Sequence, residues 1–126
     1  MTRILVVEDE VEIAELVEAI LTSEGYEVQT ARDGREALAS ISVTPLDLVL
    51  LDVMMPDIDG CTVLKTLKAD DRTRSIPVVL MSASDRLSAI VADLHPEGGL
   101  PKPFSVDDLL NCVSRHAMAP VGCLTY

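Results

Sequence analysis

The sequence predicts an α/β domain, built from a parallel β-sheet with helices packed on both of its faces. Short apolar runs of strand length alternate along the 126-residue chain with segments whose apolar residues recur at the helical spacing. The runs Ile4–Val7 and Leu46–Leu51 are apolar at almost every position, as strands that are buried on both faces require. Strict alternation of strand and helix implies parallel strands joined by right-handed crossovers.

The first half of the chain contains three predicted strands and two predicted helices. Ile4–Val7 is the first strand, and the apolar residues within Ile13–Leu21 recur at the spacing of a first helix. Tyr26–Ala31 alternates more weakly and is the second strand. Asp33 begins a capping pattern for the second helix, and Leu46–Leu51 is the third strand.

The second half predicts three further helices and two further strands. In chain order these are a helix over Val63–Leu67, a strand over Val78–Met81, a helix over Leu87–Leu94, a strand over Gly98–Leu100 and a helix over Leu109–Val113. Ser105 and Asp108 form a capping pattern before the last helix. Five strand–helix units predict a doubly wound (βα)5 domain with a flavodoxin-like sheet of order 2-1-3-4-5.

Length and composition predict one domain over residues 1–118, followed by a loose tail over residues 119–126. Hydrophobic residues make up 48% of the chain, too many for a disordered protein. The formal net charge of −11 argues against direct binding of this chain to nucleic acid or to an anionic membrane. No apolar stretch is long enough for a membrane span and the start lacks a signal-peptide layout, so we expect a cytoplasmic protein.

Carboxylates stand at the ends of two predicted strands. Asp52 ends the third strand, and Glu8 and Asp9 directly follow the first. In an open parallel sheet of this order, ligands bind beyond the carboxyl ends of strands one and three, where the order reverses. Ser82 follows the fourth strand and Lys102 follows the fifth, so both are expected at the same edge. Neighbouring strands lie about 4.8 Å apart, so these side chains can converge on one site.

This combination of side chains matches the requirements of phosphoryl transfer to a carboxylate. Clustered carboxylates repel one another unless a cation is present, and their hard oxygen ligands suit Mg²⁺. A carboxylate beside such a metal ion can attack phosphorus and form an acyl phosphate. A lysine and a hydroxyl group can stabilise the charge on the phosphoryl oxygens.

The same polar residues lie within four longer motifs. These are Ile4-Leu-Val-Val-Glu-Asp-Glu10, Leu50-Leu-Asp-Val-Met-Met-Pro-Asp-Ile-Asp-Gly60, Val78-Val-Leu-Met-Ser-Ala83 and Pro101-Lys-Pro-Phe104. Together they resemble the motifs of response-regulator receiver domains of two-component signalling, and the combination is highly specific although each motif alone is weak. The resemblance extends over nearly the whole chain, from about Thr2 to Met118.

The resemblance implies that Asp52 accepts a phosphoryl group from the phosphohistidine of a sensor histidine kinase or a phosphotransfer protein. It also implies that Glu8, Asp9 and Asp52 bind Mg²⁺ together with the backbone carbonyl of Met54. Lys102 would pair with the phosphoryl group. The domain would therefore be a regulator that catalyses only its own phosphorylation and dephosphorylation.

Further residues take roles from the same resemblance. Ser82 would bond the phosphoryl group and report its presence, and Ala83 would keep the approach to the acceptor open. Pro56 and Gly60 would shape the loop that follows the acceptor. The Lys102–Pro103 peptide bond would be cis, as in the family.

One position departs from the family pattern. The family usually has Tyr or Phe three residues before the lysine, whereas this chain has Gly99 there, preceded by Gly98. A glycine has no side chain that could rotate inward on activation. We therefore expect an aromatic-free switch, in which the change travels through loops and the fourth predicted helix. The signal would pass to a protein effector or to a missing output domain.

Two alternative functions and one alternative residue role are compatible with the sequence. A pseudo-receiver would share the fold as a binding module without being phosphorylated; Gly99 is its only support, and the complete acidic set and Lys102 count against it. A flavodoxin-like enzyme or nucleotide binder would need a glycine-rich phosphate loop or a second catalytic acid near Asp52, and neither follows the first or third predicted strand. Asp9 could simply cap the first helix.

Overall fold

Five parallel strands form one sheet in the order β2-β1-β3-β4-β5, as predicted. The computed structural model describes residues 2–55, 58–83 and 96–116. The strands are β1 (Arg3–Val7), β2 (Glu27–Ala31), β3 (Leu48–Asp52), β4 (Val78–Ser82) and β5 (Gly98–Pro101). The predicted helix over Leu87–Leu94, the tail over residues 119–126 and Pro56 lie outside the described residues, so those predictions and the domain bounds stay predictions.

Four helices are described, and three of them have side-chain caps that the local sequence supplies. They are α1 (Val11–Ser23), α2 (Gly34–Val43), α3 (Gly60–Ala69) and α4 (Val106–His116). Asp33 accepts the N–H of Glu36 at 2.9 Å at the start of α2, and Asp59 accepts the N–H of Thr62 at 2.8 Å at the start of α3. None of the helices in the described part of the chain is long and apolar enough to cross a membrane.

Residues of the central strands are buried on both faces of the sheet, which explains their continuous apolar sequence. Leu5 and Val49 pack in one hydrophobic cluster with residues of α2 and α3. Ile4 and Leu50 pack in a second cluster on the opposite face, with residues of α1 and α4. Because successive side chains of a strand alternate between faces, each central strand contributes to both clusters. The two clusters hold the sheet between helical layers and fix its carboxyl edge.

The ends of β3 differ from the prediction by one or two residues. The strand begins at Leu48 instead of Leu46, because Asp47 forms two hydrogen bonds with the backbone of Arg3. The carboxylate of Asp47 accepts the N–H of Arg3 at 2.8 Å, and the N–H of Asp47 donates to the carbonyl of Arg3, also at 2.8 Å. It ends at Asp52, which pairs with Met81 of β4. The pairing of β3 with β1 ends one residue earlier, at Leu51, so Asp52 is paired on the β4 side only and lies at the carboxyl edge of the sheet.

Candidate functional site

Three carboxylates converge at the carboxyl edge of the sheet, as the sequence predicts. Glu8 follows β1 and Asp52 ends the adjacent β3, where Val7 pairs with Leu51. One ligand oxygen from each of Glu8, Asp9 and Asp52 lies within 4.8 Å of the other two. Glu8 and Asp52 are only 1% and 3% exposed, whereas Asp9 is exposed at the rim. The group is thus a half-open acidic site on the sheet edge.

Lys102 reaches this acidic group from the end of β5. Its Nζ donates a hydrogen bond to Oε1 of Glu8 at 2.5 Å and lies 3.4 Å from Oδ2 of Asp52. The lysine side chain is 13% exposed. The sequence indicated that Lys102 would lie at this edge, but no sequence signal indicated that Glu8 would be its nearest partner.

Burial changes the pKa values of both Glu8 and Lys102. Loss of hydration raises the pKa of Glu8 to about 7; the hydrogen bond from Lys102 opposes the rise and the charge of Asp52 adds to it. Burial lowers the pKa of Lys102, but its bonds and charge interactions with Glu8 and Asp52 outweigh burial and raise it. Glu8 is therefore only partly ionised near neutral pH, and a further cation nearby would favour its charged form.

The loop after Asp52 is packed tightly against the acceptor strand. The N–H of Met54 donates to Oδ1 of Asp52 at 3.3 Å, and the N–H of Gly60 donates to the carbonyl of Val53 at 3.1 Å. A Cβ atom at Gly60 would collide with the backbone carbonyl oxygen of Asp52. Glycine is required at this position because the start of α3 approaches the strand backbone so closely.

Ser82 and Ala83 lie at the same edge, next to the strand that carries the lysine. Ser82 is the last residue of β4 and is buried, and its carbonyl accepts the N–H of Lys102 at 2.8 Å. Ala83 follows it and is exposed. The Lys102–Pro103 peptide bond is cis, as the family resemblance implied. The predicted residues Glu8, Asp9, Asp52, Met54, Ser82, Ala83 and Lys102 are thus all described at one edge of the sheet.

The model of the response regulator receiver domain family matches residues 4–114 of this sequence. The chain belongs to this family. Receiver domains act in two-component signalling, so this assignment favours a signalling domain over the flavodoxin-like enzyme considered above.

Curated relatives of this receiver domain are longer than the chain. It is 55% identical over 110 residues to the response regulator PleD of Caulobacter vibrioides, covering 86% of this chain and 24% of that protein. It is 38% identical over 112 residues to the transcriptional regulator RpaA of Synechocystis, covering 87% of this chain and 46% of that protein. The chain therefore spans about a quarter to a half of the length of these relatives.

Solved structures confirm the receiver fold. The chemotaxis protein CheY4 of Vibrio cholerae superposes with a TM-score of 0.85 at 31% identity, covering 92% of this chain and 98% of that one. The response regulator TrrA of Thermotoga maritima, solved in complex with Mg²⁺-BeF, superposes with a TM-score of 0.83 at 34% identity, covering 91% and 98%.

The interpretation of Asp9 as a helix cap is wrong. Helix α1 of this receiver domain begins at Val11, and its N-cap residue is Glu10, which makes no side-chain capping bond. Glu10 instead donates its N–H to the carboxylate of Glu8 at 3.2 Å. Asp9 thus lies outside the helix, at the rim of the acidic site.

The position of the family aromatic is open in this receiver domain. Gly99 lies exposed on β5 and lines a groove of about 440 Å³ between β5 and α4. His116 is half-buried at the end of α4, where a Cβ atom on Gly98 would lie 2.7 Å from its Nε2. Gly98 is the sequence signal for this close approach, because a residue without a side chain leaves room for the imidazole ring.

Proposed function

We propose that Asp52 accepts a phosphoryl group from the phosphohistidine of a histidine kinase or phosphotransfer protein, in a Mg²⁺-dependent reaction. One observation carries this proposal: the buried carboxylate of Asp52 has two acidic neighbours within 4.8 Å and an ammonium group at 3.4 Å. An acceptor of phosphoryl groups needs cationic groups on its flanks, because the incoming group adds negative charge.

In the proposed reaction, a carboxylate oxygen of Asp52 forms a bond to phosphorus as the bond between phosphorus and the donor imidazole nitrogen breaks. The imidazole leaves with the electron pair of that bond. Lys102 balances the charge on the phosphoryl oxygens, and the hydroxyl of Ser82 donates a hydrogen bond to one of them. Exposed Ala83 leaves space beside the acceptor.

The donor set of the acidic site suits Mg²⁺. Glu8, Asp9 and Asp52 supply hard carboxylate oxygens, and the backbone carbonyl of Met54 would complete the protein ligands. Burial raises the pKa of Glu8 to about 7, so a divalent cation would favour its charged form. When bound, Mg²⁺ neutralises the charge that develops on phosphoryl oxygens.

The wider role that we propose is that of a cytoplasmic regulator and not of an enzyme acting on a separate substrate. The domain, over residues 1–118, would catalyse only its own phosphorylation and dephosphorylation. Its output would pass by protein–protein contact to an effector or to an output domain, without direct nucleic-acid binding or membrane binding by this chain. Gly99 favours a switch that does not use an aromatic side chain.

Acetyl phosphate with MgCl₂ tests this function, with intact mass spectrometry as the readout. We expect one phosphoryl adduct that requires Mg²⁺ and that is absent in Asp52→Asn. Asp59→Asn is a matched control, because it changes an exposed acid of the same loop and asparagine can still cap α3. An adduct that persists in Asp52→Asn would contradict the proposal. No Mg²⁺-dependent adduct in the unaltered protein would favour the pseudo-receiver.

A further inference from the structure

The carboxylate of Glu97 connects the start of β5 with neighbouring segments. Its Oε1 accepts a hydrogen bond from the backbone N–H of Val78 at 2.6 Å. Both of its oxygens accept from Nζ of Lys68 in α3, at 2.9 and 3.0 Å. The same ammonium donates to the carbonyl oxygens of Arg74 and Ile76 at 3.1 and 3.2 Å. Glu97 and Lys68 thus tie the end of α3 and the segment before β4 to β5.

The side chains of the edge strand β5 define its register on β4 only weakly. Of its four residues, all of them described, Leu100 alone is buried, and Gly98 and Gly99 have no side chain. A slip of one residue would move Leu100 to the opposite face, but glycine-rich strands resist such slips poorly. Hydrogen bonds at the two ends of β5 must therefore define much of its register.

Glu97 forms two of these bonds with one residue of β4. Its N–H donates to the carbonyl of Val78 at 2.9 Å, while its carboxylate accepts the N–H of the same residue. Val78 is fully buried, so its N–H needs an acceptor. At the other end of β5, the N–H of Lys102 donates to the carbonyl of Ser82 at 2.8 Å.

We propose that Glu97, held by Lys68, is a positioning residue for Lys102. Its bonds fix the register of β5, and the strand then delivers Lys102 to the acidic edge, roughly 16 Å further along the chain by strand rise. There the lysine contacts Glu8 and lies 3.4 Å from Asp52. The functional consequence rests on the proposed role of Asp52 as acceptor, whereas the structural consequence does not.

Two variants of Glu97 separate its contributions, and one variant serves as a matched control. Glu97→Ala removes the acceptor for Val78 and the partner of Lys68, whereas Glu97→Gln keeps an oxygen that can accept from Val78. Glu27→Ala is the control, because Glu27 is also a partly exposed acid at the start of an edge strand. It pairs with Arg3 at 2.9 Å and has no contact that leads to the lysine end of β5 among the described residues.

Native-state hydrogen exchange of the Lys102 amide is the first measurement. The Val53 amide, bonded to the carbonyl of Met81 at 3.0 Å, is the internal reference for global unfolding. In Glu97→Ala we expect exchange at Lys102 to accelerate about tenfold more than at Val53, as for the loss of one buried hydrogen bond. Glu97→Gln should lie between this variant and the unaltered protein, and Glu27→Ala should leave the ratio unchanged. Equal acceleration at both amides would overturn the proposal.

The rate of Mg²⁺-dependent modification by acetyl phosphate is the second measurement, in a double-mutant cycle with Lys102→Met. We expect Glu97→Ala to slow modification about fivefold when Lys102 is present, and less than about twofold when it is replaced, because the effect acts through the lysine. Equal slowing in both backgrounds would contradict a positioning role and indicate general destabilisation.

The two measurements distinguish failure of this inference from failure of the proposed function. If the unaltered protein is not modified by acetyl phosphate, the proposed function fails, and the exchange ratio alone decides whether Glu97 positions Lys102. If modification occurs but the exchange ratio does not respond to Glu97→Ala, the proposed function stands and the positioning role is refuted.

Discussion

Lys102 donates a hydrogen bond to the buried carboxylate of Glu8 at 2.5 Å. It also lies 3.4 Å from Asp52, so one ammonium from the end of β5 is shared by acids of the two central strands β1 and β3. Removing one partner of a buried ion pair leaves the other charge without compensation. The charge states of Glu8, Asp52 and Lys102 are therefore coupled, and a substitution of one of them should change the electrostatic environment of the other two.

Replacing Lys102 by Met is expected to slow Mg²⁺-dependent modification of Asp52 by about 10²-fold, the usual cost of removing one charge-stabilising group from a phosphoryl or acyl transfer site. The rate of adduct formation with acetyl phosphate measures this effect. Lys65→Met is the control, because Lys65 is exposed on α3. A rate in Lys102→Met equal to that of the control would argue against any contact between Lys102 and the phosphoryl group.

Stability of the metal-free protein should fall as the pH rises from about 4.5 to 7. Glu8 has a pKa of about 7 in the folded protein, against an ordinary value of 4.5, so the folded state binds an extra proton between these two pH values. Its stabilising contribution is fully present below pH 4.5 and is lost as the pH rises through about 7. The difference corresponds to roughly 3 kcal/mol in the free energy of unfolding.

Urea denaturation in EDTA across this pH range measures the Glu8 effect. Glu8→Gln should flatten the decline, because a glutamine has no proton to lose. Glu15→Gln, an exposed position on α1, is the control and should leave the slope as it is. The same slope in Glu8→Gln and in the unaltered protein would show that another group is responsible.

Asp9→Asn should reduce the stabilisation by Mg²⁺ while leaving the metal-free protein almost unchanged. Asp9 is exposed and lies outside helix α1, so its loss removes no helix cap. In the unaltered protein, Mg²⁺ at 100 times its dissociation constant should add about 2.7 kcal/mol to the free energy of unfolding. Thermal unfolding with and without MgCl₂ checks this. Equal gains in both proteins would exclude Asp9 as a ligand.

Gly60→Ala should lower the free energy of unfolding by about 1–3 kcal/mol, because the added methyl group collides with the backbone of Asp52. It should also weaken Mg²⁺-dependent modification, since the acceptor strand must shift. Gly25→Ala is the comparison, because its φ of 92° makes alanine unfavourable but nothing lies within 4 Å of the added atom. That variant should lose stability and keep its modification rate. Equal modification rates in the two variants would refute a displacement of Asp52.

Most of the fold was predictable because burial on both faces of a parallel sheet forces continuous apolar strands. Residues of β3 and β4 are buried throughout, and their positions were found almost to the residue. The short strand β5 was found at Gly98–Leu100 in spite of its two glycines. The exact start of β3 was not predictable, because it depends on bonds between Asp47 and Arg3, which are far apart in sequence.

The sequence by itself determined which residues arrive at the carboxyl edge. Glu8, Asp9, Asp52, Ser82 and Lys102 each end or follow a strand, and parallel strands bring their carboxyl ends together. Only the tertiary structure decided which of them touch. Lys102 pairs with Glu8, and Lys68 pairs with Glu97. The partner of a long, flexible side chain depends on how strands and helices are spaced in the fold, and the order of residues in the sequence does not encode that spacing.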